Sequence, residues 1–325
     1  MKIVICSPAV SPCGGIRVLF EHANHLQARG HEVAIVSPVI ATPTWFDLRA
    51  PLISWREAQE TAWDVVVASS PETLGTAMRI NGKSRVYFVQ MMEHLFFHPG
   101  TKEYDLARDS YPKAHHEGFH FLTIAEWLQK ELTKWDIESE MICNGVNKDD
   151  FYPSRDKENY VLVEGDNRNY AKDVEELGWK AALALRDMYG VKVYGYSANP
   201  NNYMNRMDQF ILKPSTAQMR DLYSGALFTI KASQFEGRSL APLESLACGT
   251  PVVRAISFGD DDIQTDKNGI RTSYNYQELV MACVKMLTDS EYRRQQTNGA
   301  LDCGSCMNWE PLIINKLEMF YQGLL

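Results

Sequence analysis

Two glutamates, Glu236 and Glu244, stand with seven residues between them in the run FEGRSLAPLESLACGTPVV, residues 235–253. A carboxylate only accepts hydrogen bonds and takes two O–H donors at once, which suits vicinal hydroxyls. The residues between them suit an anion. Gly237 has no side chain, so a ligand can approach its backbone closely. Pro242 fits a helix only in its first turn, where a missing N–H costs nothing. That puts the helix start near Ser239, a residue type able to cap it. The N–H groups of Arg238, Ser239 and Leu240 then have no partner within the helix. A helix start beyond the carboxyl end of a parallel strand is an anion site. Hydroxyls, charge and hydroxyls in line match a molecule with sugar, diphosphate and ribose in sequence. The competing assignment has Glu236 ending a strand in solvent and Glu244 on a helix surface, and spacing alone leaves both open.

The elements that must position these residues alternate along the chain. The apolar runs KIVIC, EVAIVSP, DVVVASS, RVYFVQ, FHFLTIA and EMICNG predict strands, mostly separated by helix-period segments. In GGIRVLFEHANHLQARG, Leu19, Ala23 and Leu26 share one helical face. After the polar stretch NGVNKDDFYPSRDKEN the alternation restarts with YVLVEG, VKVYGYS, QFILKP, ALFTIKAS and TPVVRAI. Near-continuous apolar strands are those of parallel sheets covered on both faces, so the chain is α/β, doubly wound. The expected division is an N-terminal domain over residues 1–152 and a second domain over 153–306. One amphipathic helix over 307–325 is expected to pack back toward the first domain.

Composition narrows the classes. The 325 residues carry 33 Lys+Arg against 41 Asp+Glu, a net charge of -8, which argues against bulk binding to nucleic acid or anionic membrane. No apolar run approaches the ~20 residues that span a bilayer, so no stable membrane insertion is expected. Seven scattered cysteines do not form a disulfide framework. The expected location is cytoplasmic, with a peripheral membrane position open.

The quoted run resembles the nucleotide-sugar site of GT-B glycosyltransferases, in particular the large retaining group called family 4, or group 1. Their motif is a Glu, seven residues, a second Glu, and a small-residue helix end leading into GTPVV. The similarity extends to GGIRVLFEHANHLQARGHEVAIVSP, LTIAEWLQKEL, MICNGVNKDDFYP, MRDLYSGALFTIKAS and the closing NWEPLIINKLEMFYQGLL, and so covers most of the chain. It implies two Rossmann-like domains facing across a cleft, acceptor-side first and donor-binding second. It implies that Glu236 contacts the transferred sugar, that Glu244 contacts the ribose hydroxyls, and that the amides of Gly237, Arg238, Ser239 and Leu240 hold the diphosphate. GDNRNYAKDV stands where the family keeps an Arg and a Lys on the phosphates, which gives Arg168 and Lys172 catalytic roles on the departing charge. Gly14 and Gly15 of CGGIR correspond to a glycine loop near phosphates and acceptor, though a plain strand-to-helix turn explains the pair equally well.

Three departures stand out. Arg238 replaces a frequent aromatic residue. The segment FVQMMEHLFFHPG stands where many members carry a cleft histidine, leaving Gln90, Glu93 and His94 as candidates. The chain is also short for the family, so acceptor-binding elaborations are expected to be trimmed.

The resemblance implies transfer of a hexose or pentose from a nucleoside-diphosphate sugar, UDP or GDP foremost, with retention, no metal and no cofactor. Front-face attack, with the leaving phosphate taking the acceptor's proton, suits a site without the paired carboxyls of a retaining glycosidase. The acceptor is open: a glycan, a lipid-linked sugar, a small molecule or a modified nucleic-acid base. Rival readings are a metal-dependent transferase using GDDDI, residues 259–263, a GT-B epimerase or phosphorylase, and a non-catalytic nucleotide-sugar or glycan binding protein. CGSC, residues 303–306, lacks the further ligands of a structural zinc, and His115 and His116 are better read as surface or satisfied histidines than as ligands.

Overall fold

The computed structural model describes residues 1–164, 173, 175–259 and 262–325. They divide into two compact units: Met1–Asn144 with Glu310–Leu325, and Gly145–Trp309.

The first unit carries strands β1 (Lys2–Cys6), β2 (Glu32–Val36), β3 (Leu52–Ile53), β4 (Trp63–Ala68), β5 (Gly82–Val89), β6 (His120–Thr123) and β7 (Ser139–Met141), with helices α1 (Gly14–Ala28), α2 (Trp55–Glu60), α3 (Pro71–Ala77), α4 (Lys102–His116) and α5 (Glu126–Leu132). All strand pairs are parallel, in the order β3-β2-β1-β4-β5-β6-β7. The apolar runs of β1 and β4 are buried along almost their whole length, as a sheet covered on both faces requires. Leu19, Ala23 and Leu26 of α1 are buried.

The second unit carries β8 (Tyr160–Glu164), β9 (Lys192–Ser197), β10 (Gln209–Leu212), β11 (Thr229–Phe235), β12 (Val252–Phe258) and β13 (Gly269–Thr272), with α6 (Leu177–Tyr189), α7 (Thr216–Gly225), α8 (Leu240–Ala247), α9 (Tyr276–Thr288) and α10 (Ser290–Ser305). This sheet is also parallel, in the order β10-β9-β8-β11-β12-β13. The strand order reverses between β8 and β11, and ligands of open α/β sheets bind beyond the carboxyl ends at such a point. One face of the sheet packs Val161, Val163, Ile230 and Val253 against Trp179, Leu185, Leu279 and Met286 of α6 and α9. The other packs Tyr160, Leu162 and Val252 against Leu222, Tyr223, Leu243 and Leu246 of α7 and α8.

The chain returns to the first unit in α11 (Ile314–Gly323). This helix is shorter than the expected 307–325. Glu310, before Pro311, is extended (φ -96°, ψ 146°), so continuous helix starts only at Ile314. Arg29 holds the segment with hydrogen bonds of 3.1 Å to Glu310 and 2.7 Å to Glu318. The edge strands β3 and β13 are additions to the expected set. Among the described residues no helix is long and apolar enough to cross a membrane.

Helix α10 approaches the loop before β13 so closely that a methyl group at Gly299 would lie 1.7 Å from the Lys267 carbonyl oxygen. Backbone cannot yield there as a side-chain tip would. Gly299→Ala is expected to destabilise the second unit by about 1–3 kcal/mol or more, read from the urea midpoint by tryptophan fluorescence. An unchanged midpoint contradicts this packing.

Candidate functional site

In the second unit the carboxyl ends of β8 and β11 bring two carboxylates to one ammonium. Lys231 lies inside β11 and is only 5% exposed. Its Nζ pairs with Glu164 at the end of β8 and lies 3.2 Å from Glu236 Oε1. Glu236 itself is buried, accepts a 3.0 Å hydrogen bond from Ser233 Oγ, and donates its backbone N–H to Phe258 O. Burial alone would strip the proton from Lys231, but the two glutamates outweigh it and hold the ammonium above its ordinary range. Arg254 acts against them from the next strand, since it stands directly opposite Lys231 and opposite Arg271 in turn. A cationic row therefore crosses β11, β12 and β13 on the side of the sheet covered by α8.

Helix α8 follows Glu236 after a short turn. Ser239 precedes it with extended backbone, as expected of a cap, but its side chain makes no capping bond to the helix. Gly249 ends the helix at φ +69°, where a side chain is strained. Glu244, half-buried on α8, accepts a 3.4 Å hydrogen bond from the Tyr223 hydroxyl, which is linked to the Tyr196 hydroxyl at 2.8 Å. Arg238 makes a two-pronged pair with Asp262, Nε to Oδ2 at 2.8 Å and Nη2 to Oδ1 at 2.6 Å. The guanidinium that departs from the family pattern is thus tied to the GDDDI segment. No group of three metal-ligating side chains occurs among the described residues, and Asp260 and Asp261 of that segment lie outside them. Asp173 caps the start of α6, accepting from Leu177 N, Gly178 N and the Tyr274 hydroxyl, and burial raises its pKa. Arg168 and Lys172 lie outside the described residues.

In the first unit Gly14 and Gly15 open α1. Gln90, just past β5, donates from Nε2 to the Gly15 carbonyl at 3.2 Å. Its two companions turn elsewhere. Glu93 accepts from the Tyr111 hydroxyl at 3.2 Å, while its own N–H donates to that oxygen at 2.9 Å. His94 is buried edge-on to Tyr104, Tyr111 and Trp135, and burial lowers its pKa. Of the three sequence candidates, Gln90 is the one in contact with the glycine loop.

Glu164, Lys231, Tyr223 and Tyr196 escaped the sequence reading, and Asp262 entered it only as a metal ligand of the rival GDDDI reading. Lys231 carried a signal, because a lysine inside the apolar run ALFTIKAS must be paired or solvated once that run is buried. Its partner Glu164 is distant in sequence, and only strand order joins them.

No family model matches the chain. Over 145 residues it is 28% identical to the O-antigen chain mannosyltransferase RfbU of Salmonella typhimurium, a match spanning 41% of each chain. Among solved structures, Anabaena HepE in complex with UDP-glucose superposes with a TM-score of 0.79 at 14% identity, covering 100% of both chains. Sucrose-phosphate synthase from Thermosynechococcus elongatus gives 0.78 at 13% identity, covering 99% of this chain and 98% of that one. The fold is that of the GT-B glycosyltransferases. It consists of two α/β units, each with an all-parallel sheet.

Glu93 offers a test of the first unit. Burial, with Glu72 second, pushes its pKa from the ordinary 4.5 up to about 8, against the pull of the Tyr111 hydrogen bond. The folded chain then holds a proton that the unfolded chain releases, so stability is full below pH about 4.5 and is lost as pH rises through about 8. Glu93→Gln, which has no proton to lose, is expected to match wild type near pH 4.5 and to exceed it by about 1 kcal/mol or more at pH 8.5. Parallel pH profiles of the denaturation midpoint would contradict this.

Proposed function

We propose that this protein is a glycosyltransferase that moves a hexose or pentose from a nucleoside-diphosphate sugar to an acceptor hydroxyl, with retention and without a metal. The observation that carries the reading is the arrangement at the switch point of the second sheet. A buried, lysine-paired Glu236 stands at the end of β11, helix α8 begins four residues later, and Glu244 follows on that helix. In this reading Glu236 accepts hydrogen bonds from the sugar, the amides from Gly237 to Leu240 hold the diphosphate, and Glu244 takes the ribose hydroxyls. Arg168 and Lys172 neutralise the leaving diphosphate. The fold shared with a UDP-glucose-bound neighbour and the partial likeness to a mannosyltransferase support the donor class.

The chemistry follows from the groups available. The leaving diphosphate takes the acceptor's proton while its own charge is spread over backbone N–H groups and cations, so the protein contributes position and electrostatics. The metal-independent form is supported by Asp262, which is committed to Arg238. We assign Gly14, Gly15 and Gln90 of the first unit to substrate binding, and the protein to the cytoplasm. The acceptor hydroxyl is that of a glycan, in keeping with the mannosyltransferase relative.

Calorimetric titration with UDP, GDP, ADP and dTDP tests the donor site. One diphosphate is expected to bind in the micromolar range, about -8 kcal/mol. Glu244→Ala is expected to lose about 1–3 kcal/mol of it. If no diphosphate binds, or the variant binds as well as wild type, the reading fails.

A further inference from the structure

The proposed site uses Glu236 but leaves Lys231 without a part. Its position is unusual for a lysine, since flanking residues Ile230 and Ala232 are buried and the strand runs through the middle of the sheet. Its ammonium lies between Glu164 and Glu236, while Ser233 donates to the Glu236 oxygen that the ammonium faces. That oxygen is thereby fixed from two sides. A carboxyl group as buried as Glu236 would otherwise favour its protonated form and rotate to suit. A protonated carboxyl presents one donor in place of an acceptor, the wrong pattern for two sugar hydroxyls.

We propose that Lys231 is a positioning residue: it does not touch the donor, but holds Glu236 ionised and in one orientation toward the sugar hydroxyls. The proposal rests on the donor reading above and names a residue that governs how the sugar is held. The charged and titratable groups around Lys231 come from several elements. Glu164 faces it from β8, Glu236 from the end of β11, Arg254 from β12, and Asp173 feels its charge from the start of α6. Tyr196 on β9 lies near both Glu164 and Glu244.

Two readouts separate positioning from structural support. The first needs no ligand. The Glu236 carboxyl carbon, assigned with Glu236→Gln, is titrated by NMR in wild type, Lys231→Met, Lys231→Arg and the charge-balanced Lys231→Met/Glu164→Gln. Loss of a cation at this distance is expected to raise the Glu236 titration midpoint by about 1–3 pH units in both Met variants, with Lys231→Arg close to wild type. The double variant carries the test where the single one fails to fold. The second readout compares each diphosphate of the titration panel with its glucose ester. In both Met variants the preference for the ester over the bare diphosphate is expected to fall roughly tenfold at pH 5.5 and to recover by pH 8.5. Affinity for the bare diphosphate should stay within about twofold.

An unchanged Glu236 midpoint in the Met variants overturns the proposal. So does a double variant that titrates like wild type, because Lys231 would then only balance Glu164. If wild type binds no diphosphate, the donor reading fails, and the NMR titration alone decides the role of Lys231.

Discussion

A lysine held between two carboxylates inside the second sheet is the constraint around which that unit is arranged. An unpaired buried ion costs several kcal/mol, and its partners must be close and well placed to offset this. The strand order meets that demand by setting β8 beside β11, so that Glu164 at the carboxyl end of β8 meets Lys231 inside β11. The Phe258 carbonyl and the Ser233 hydroxyl then leave Glu236 little freedom. Two carboxylates against one ammonium leave the triad with a net negative charge, four residues before α8 begins.

The surroundings follow the same logic of paired polar groups. Arg238, which would otherwise sweep the mouth of the site, is clamped in a planar fork by Asp262. Glu244 is steadied through Tyr223 by Tyr196, two phenols from neighbouring elements whose remaining surface is core. Each carboxylate assigned to the donor therefore has a protein group that limits its motion before any ligand arrives. Such preorganisation reduces the ordering cost of binding.

Much of this was legible in the sequence. Eleven apolar runs became eleven strands, because strands covered on both faces have no polar side to break the run. The missed strands, Leu52–Ile53 and Gly269–Thr272, are short edges whose few apolar residues form no pattern. The terminal helix was drawn too long because its apolar period continues through Pro311, while the backbone at Glu310 does not. The Glu236 and Glu244 pair was visible from residue type and spacing. Lys231 was visible only as an anomaly, since register and strand order are not written locally. Among Gln90, Glu93 and His94 the residue types alone gave no ranking; it took the phenol of Tyr111 to draw two of them away.

The grip of Arg29 on Glu310 and Glu318 has a consequence for how the polypeptide is made. The first unit is interrupted in sequence by the whole of the second, and its last helix is synthesised only after the second unit is. The second unit, continuous from Gly145 to Trp309, has all its strands in hand while the first still lacks a wall. Domains generally fold as units as they emerge, so the nascent chain carries the first unit's sheet without its closing helix while the second unit is being made. For these two units the order of synthesis and the order of completion are reversed: the one begun first is finished second.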